Sequence, residues 1–167
     1  ITIFGIFIGS TYAWTGVILF GLYTIIDTLT KDIHLKAEID DDGNSYGIKI
    51  FQYLVMYVML PVFITIQIIL AWRIYQYTSG VILQNLSLGS IEYQNGISGI
   101  NLIGAVISSA LWAGLGIIYG HELSHNKKEG FFVSRLIMAL SGASHFTYAH
   151  VYNHHLDLGH EDDPATA

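Results

Sequence analysis

The chain has 167 residues, 52% of them hydrophobic and 12% charged, with a formal net charge of −6. Its mean hydropathy is +0.48, and a soluble domain carries roughly twice that share of charge, so the composition is that of a membrane protein. The absence of cysteine excludes disulfides, zinc fingers, thiolate-ligated haem and iron–sulfur clusters for this stretch, and the acidic balance without a basic block argues against nucleic acid as a partner.

The chain opens on Ile1 with neither the basic start nor the small-residue cleavage site of a signal peptide. It is therefore expected to be a piece of a longer chain, or one trimmed at both ends. About 20 apolar residues in a helix cross a bilayer, and three runs reach that length, at about 3–26, 50–72 and 97–119. Between the first two, Lys31 to Lys49 is polar and includes the acidic turn "DDDGN", Asp40 to Asn44, which reads as a solvated loop. Pro61 is expected to kink the second span, since proline lacks a backbone donor and clashes with the preceding turn. In the third span Gly104/Ser108, Ser109/Ala113 and Ala110/Gly114 repeat at four-residue spacing, which predicts a buried helix that others approach closely. Trp14, Trp72 and Trp112 read as interfacial or core aromatics. The stretch "FFVSRLIMALSGAS", Phe131 to Ser144, is too short for a fourth span and is expected as an interfacial or buried helix. The fold class that follows is an all-α integral membrane helical bundle, one domain over 1–167, with a histidine-bearing helical region over 120–167.

Three spans put the first loop and the C-terminal tail on one side of the membrane. Lys31, Lys36, Lys49, Lys127, Lys128 and Arg135 fall on that side and only Arg73 on the other, so the distribution of positive charge predicts that the tail faces the cytoplasm.

Five of the eight histidines lie between His145 and His160, and two more stand in "HELSH", His121 to His125. On a helix the i,i+4 spacing places His121 and His125 on one face about 6 Å apart along the axis, which suits two ligands to one metal. Taken alone, the same pattern is also the signature of zinc metalloproteases, with Glu122 as general base. His150, His154 and His155 form an H-x3-H-H pattern with the same i,i+4 geometry. Five imidazoles are too many for one catalytic zinc that must keep a water, because such a zinc takes three protein ligands, and a two-metal site uses them. The ligand type leaves zinc, copper, iron and nickel open. His145 and His160 read as hydrogen-bonding partners behind the ligands or as surface residues, and Glu122 and Asp157 as further partners of that kind.

"GHELSHNKK", Gly120 to Lys128, followed by "HFTYAHVYNHH", His145 to His155, and "EDDPATA", Glu161 to Ala167, resembles the membrane-bound alkane 1-monooxygenases, with the xylene monooxygenases close by, within the histidine-box group that includes membrane fatty acid desaturases. Upstream, "FGLYTIID" adds a looser likeness. Ala149 stands where many members carry glutamate, and Asn153 replaces the usual glycine.

The resemblance implies a non-haem diiron site of two Fe, with O2 as co-substrate, in a membrane enzyme that hydroxylates the terminal carbon of hydrophobic hydrocarbons. Electrons are expected from a rubredoxin-type carrier and its reductase, and the location is expected to be the bacterial inner membrane. Carried over, His121 and His125 match the first box, His150, His154 and His155 match the second, and His145 lies in the outer shell. Leu19 and Phe20 line up with a substrate-channel position where a bulky aromatic limits chain length, so Leu19 is expected to admit longer chains. The resemblance also implies a further histidine box beyond Ala167, so this chain alone is expected to be inactive. Desaturation or benzylic hydroxylation in place of alkane hydroxylation stays open at this stage, as does an intramembrane zinc protease using His121, Glu122 and His125.

Overall fold

A computed structural model describes residues 1–30, 49–126, 128–158 and 160. The acidic turn Asp40–Asn44, with Lys31, Lys36, Lys127 and the closing stretch Glu161–Ala167, lies outside the described residues. Among the described residues, three helical stretches are long and apolar enough to cross a membrane, Ser10–Leu29, Tyr53–Thr78 and Gly99–Ser124.

The first apolar run is not the single span expected over 3–26. A short helix α1, Thr2–Ile8, is followed by a 3-10 turn, Ser10–Trp14, and then α2, Thr15–Leu29. The break falls at Gly9 and Ser10, both with positive φ, 80° and 50°. Such a conformation interrupts a right-handed helix and suits glycine, which has no Cβ to clash. At Gly9 there is a second reason, because a Cβ there would sit 2.5 Å from a guanidinium nitrogen of Arg73.

Helix α3, Lys49–Thr78, continues through Pro61. Pro61 cannot donate to the Tyr57 carbonyl, while its own carbonyl accepts from Thr65 Oγ1 at 2.8 Å. Arg73, near the end of α3, is fully buried. Its guanidinium donates to the carbonyls of Ile6 and Phe7 at the end of α1, to those of Gln94 and Gly96, and to Gln76 Oε1. A charge this deep must have its donors satisfied, and here main-chain oxygens from two segments, with the Gln76 side chain, supply the acceptors. Its guanidinium also lies over the Trp72 ring, which stacks with Phe7 and Tyr93.

Between the second and third spans lies a hairpin that no sequence signal singled out. Strand β1, Gln84–Leu88, pairs antiparallel with β2, Ile91–Asn95, in the register Gln84↔Asn95 to Leu88↔Ile91. The two-residue turn has Gly89 at φ 66°, the positive φ that tight hairpins require.

Helix α4, Gly99–Ser124, begins with Ser98 capping the Asn101 amide and touches α2, α3, the 3-10 turn and α5. Its small residues act as expected over half their length. Gly104 lies against Trp14, and Ser108 faces Gly16 and donates to the Ala13 carbonyl at 2.9 Å. Gly114 meets nothing among the described residues, so the Ala110/Gly114 pair does not take part in this packing. Helix α5, Lys128–Leu140, is amphipathic. It buries Gly130, Ser134, Ile137 and Met138 against the bundle and leaves Phe132, Arg135 and Leu136 exposed.

The core has two parts. Ile6, Ala13, Ile97 and Ala105 fill the hairpin end, and Met59, Phe63, Leu123 and Ile137 fill the other. With 26 residues, α4 separates these ends by roughly 40 Å, and it is the second end that holds the histidines.

Candidate metal centre

Helix α4 runs past the apolar stretch expected to end at 119, so that His121 lies in its last turn and His125 is its C-cap. The second histidine group follows α6, Phe146–Tyr148, in a π-helix over Ala149–His154 that leads into α7, His155–Asp157. Buried hydroxyls tie the two stretches together. Ser134 of α5 donates to the Gly120 carbonyl at 2.6 Å, and Thr147, three residues before His150, lies 3.4 Å from the same hydroxyl. Gly120 allows the close approach, since a Cβ there would press on Met138 at 3.0 Å.

The imidazoles converge. One ring nitrogen from each of His121, His125 and His150 falls within 4.8 Å of the others. His150 Nε2 stands 3.3 Å from His125 Nε2 and 3.0 Å from His155 Nε2. Two nitrogens held about 2.1 Å from one ion stand roughly 3 Å apart at a right angle, so these spacings fit a metal. The i,i+4 neighbour His154 stacks on His150, 5.4 Å between centroids and 24° between planes, and His155 meets it edge-on at 4.5 Å and 78°. The π-turn allows both contacts, because its wider i→i+5 repeat brings the fifth residue round to the face where an α-helix places the fourth.

Protonation favours the ligand form. Burial, then the charges of His121 and His155, hold the His125 imidazole below its ordinary pKa against an opposing pull from Glu122. Burial followed by the four neighbouring imidazoles pushes His150 down to about 4. A neutral ring keeps a lone pair for a metal. His121 Nδ1 lies 3.0 Å from Glu122 Oε1, and an N–H donated there leaves Nε2 to face the cluster. The donor set, neutral nitrogen with one carboxylate behind it, suits iron or zinc.

His145 lines a separate cavity with Arg135, Ser144 and Tyr148. Among the described residues, no side-chain hydrogen bond joins Asp157 or His160 to the cluster; the His160 amide donates to the Asp157 carbonyl. Leu19 and Phe20 line an apolar cavity of about 250 Å3 between α2 and α4, together with Tyr23, Leu111, Trp112 and Leu115. Leu115 precedes His121 by six residues, about 9 Å along the helix. Sequence reasoning missed Ser134, Thr147 and Phe146. Of these only Phe146 left a sequence trace, its i,i+4 spacing from His150.

No family model matches the chain, and no solved structure matches it. It is similar to alkane 1-monooxygenase 1 of Alcanivorax borkumensis, 28% identical over 99% of this chain and 38% of the relative. Over shorter stretches it is similar to the alkane 1-monooxygenases of Pseudomonas putida, 34% identical over 42% of this chain and 18% of the relative, and of Ectopseudomonas oleovorans, 40% identical over 39% and 17%. The chain thus spans well under half the length of the curated relatives it matches, and its likeness to alkane 1-monooxygenases extends over nearly all of its own length.

Proposed function

We propose that the chain forms the metal-binding part of a membrane enzyme that hydroxylates hydrocarbons at the terminal carbon. The observation that carries this reading is the convergence of His121, His125, His150 and His155, from two separate stretches, at the end of a helix long enough to span a bilayer. The similarity to alkane 1-monooxygenases supports the choice of reaction.

In this reading His121, His125, His150, His154 and His155 hold two non-haem iron ions, and Glu122 orients His121 through Nδ1. Iron held there supplies the redox chemistry by which one atom of O2 enters a C–H bond and the other leaves as water, consuming two electrons and two protons. The protein's share is delivery and exclusion. Apolar surface gains about 25 cal/mol per Å2 on leaving water, so a hydrocarbon concentrates in the bilayer. The cavity beside Leu19, Phe20 and Leu115 then offers an apolar path toward the histidine end of α4. The electrons come from a rubredoxin-type carrier and its reductase, which places the histidine end on the cytoplasmic side of a bacterial inner membrane. The zinc-protease reading leaves the imidazoles of His150 and His155 unexplained.

The test is metal analysis joined to turnover on the full-length protein in lipid nanodiscs. About two irons per chain and conversion of n-alkanes to 1-alkanols, with rubredoxin, its reductase and O2, are expected. One zinc per chain and no hydroxylation would overturn the proposal.

A further inference from the structure

We infer that Phe146 is a positioning residue for the histidine centre, fixing the plane of the His150 imidazole so that Nε2 points into the cluster. The inference rests on the metal-centre reading above and adds a residue that the histidine motifs do not include.

Phe146 stacks on His150 with the rings offset and near parallel, centroids 5.1 Å apart and planes within 11°. The His150 ring also meets His154, with centroids 5.4 Å apart and planes at 24°. Two near-parallel ring neighbours restrict the turn of the imidazole about its outer side-chain torsion. With the plane fixed, its edge carries Nε2 toward His125 and His155, whose rings stand at 78° to it. Phe146 also lies 6.3 Å from the ring of His121, so one side chain contacts imidazoles of both histidine groups. Its own place is held locally. Thr147, the next residue, is fully buried beside Ser134, which is bonded to the end of α4.

A ligand's binding strength depends on what orients it, and a ring held only on one face can swing its nitrogen away. A phenyl ring contributes no proton or charge, so its effect on the metal is purely geometric. Offset stacks of this kind are favourable in themselves, and here the preferred geometry coincides with the one that aims the nitrogen.

The experiment uses Co2+ as a spectroscopic probe on the full-length protein in nanodiscs, comparing the parent with Phe146→Leu, Phe146→Ala, Phe146→Tyr and the distant Phe132→Ala. The leucine variant keeps apolar bulk without a ring face, which separates orientation from packing. Loss of the ring is expected to weaken Co2+ binding 10- to 100-fold, the range seen for partners behind metal ligands, and to shift the d–d absorption. Phe146→Tyr should retain both the affinity and the spectrum of the parent, as should Phe132→Ala. Parent-like binding and spectrum in Phe146→Leu would overturn the inference, as would a tyrosine variant as impaired as the leucine one. Hydroxylation is scored separately. A parent protein that binds Co2+ in a Phe146-dependent way yet oxidises no alkane would refute the proposed reaction and leave the role of Phe146 intact.

Discussion

Replacing His150 by alanine should abolish tight metal binding while leaving the apo fold in place. His150 is the hub of the cluster, with Nε2 3.3 Å and 3.0 Å from the matching atoms of His125 and His155, and its ring 4.3 Å from that of His121. Four-ligand structural zinc sites gain about 10–16 kcal/mol, so one imidazole is worth roughly 3 kcal/mol. At 1.4 kcal/mol per decade this is about a hundredfold in Kd. With metal at 100 times the parent's Kd, binding stabilises the parent by about 2.7 kcal/mol, whereas a hundredfold weaker variant gains only about 0.4 kcal/mol. The apo protein loses little, because His150 is only partly buried and the apolar packing at this end rests on Met59, Phe63, Leu123 and Ile137. The assay is thermal unfolding in nanodiscs with and without Co2+, alongside a direct titration. A metal-dependent rise in melting temperature in His150→Ala equal to the parent's would refute the reasoning, since the cluster would then not be the binding site.

Ser134→Ala removes the buried hydroxyl that donates to the Gly120 carbonyl in addition to that carbonyl's bond within α4. A loss of about 0.5–1.5 kcal/mol is expected in denaturant titrations, and an unchanged midpoint would show that this bond does not tie α4 to α5. Arg73→Met should cost at least about 3 kcal/mol, because several main-chain acceptors lose their donor together; Arg73→Lys should not restore it, since an ammonium cannot span the same fork. Parent-like stability in either variant counts against the hub. Leu19→Trp fills part of the 250 Å3 cavity and should shift product profiles toward shorter alkanes in gas chromatography. Identical profiles would detach the cavity from the substrate.

Much of the architecture was legible along the chain because a bilayer imposes a length and a polarity that composition reports directly. All three expected spans correspond to apolar helical stretches with shifted ends, at Ser10–Leu29, Tyr53–Thr78 and Gly99–Ser124. The first begins only after the break at Gly9, because hydropathy does not register backbone handedness, and Gly9 is as apolar as a helix interior needs. Arg73, a lone cation beside an apolar run, served in the sequence only as a vote on orientation. In the structure it is a buried link between α1, α3 and the hairpin strand β2, and the residues that make it tolerable, Ile6, Phe7, Gln94 and Gly96, act through carbonyls that every residue carries.

The histidine centre divides in the same way. The sequence by itself determined that imidazoles cluster near one end of the third span, since H-x3-H spacing and position are local properties of the chain. Only the tertiary structure decided which of them meet. That His150 reaches His155 as well as His154 depends on a π-turn, and that it meets His125 depends on Ser134 and Thr147 holding α4, α5 and α6 together. Those outcomes follow from hydrogen bonds and ring contacts between residues distant in the chain, and a repeat pattern cannot encode a contact whose partner lies on another helix.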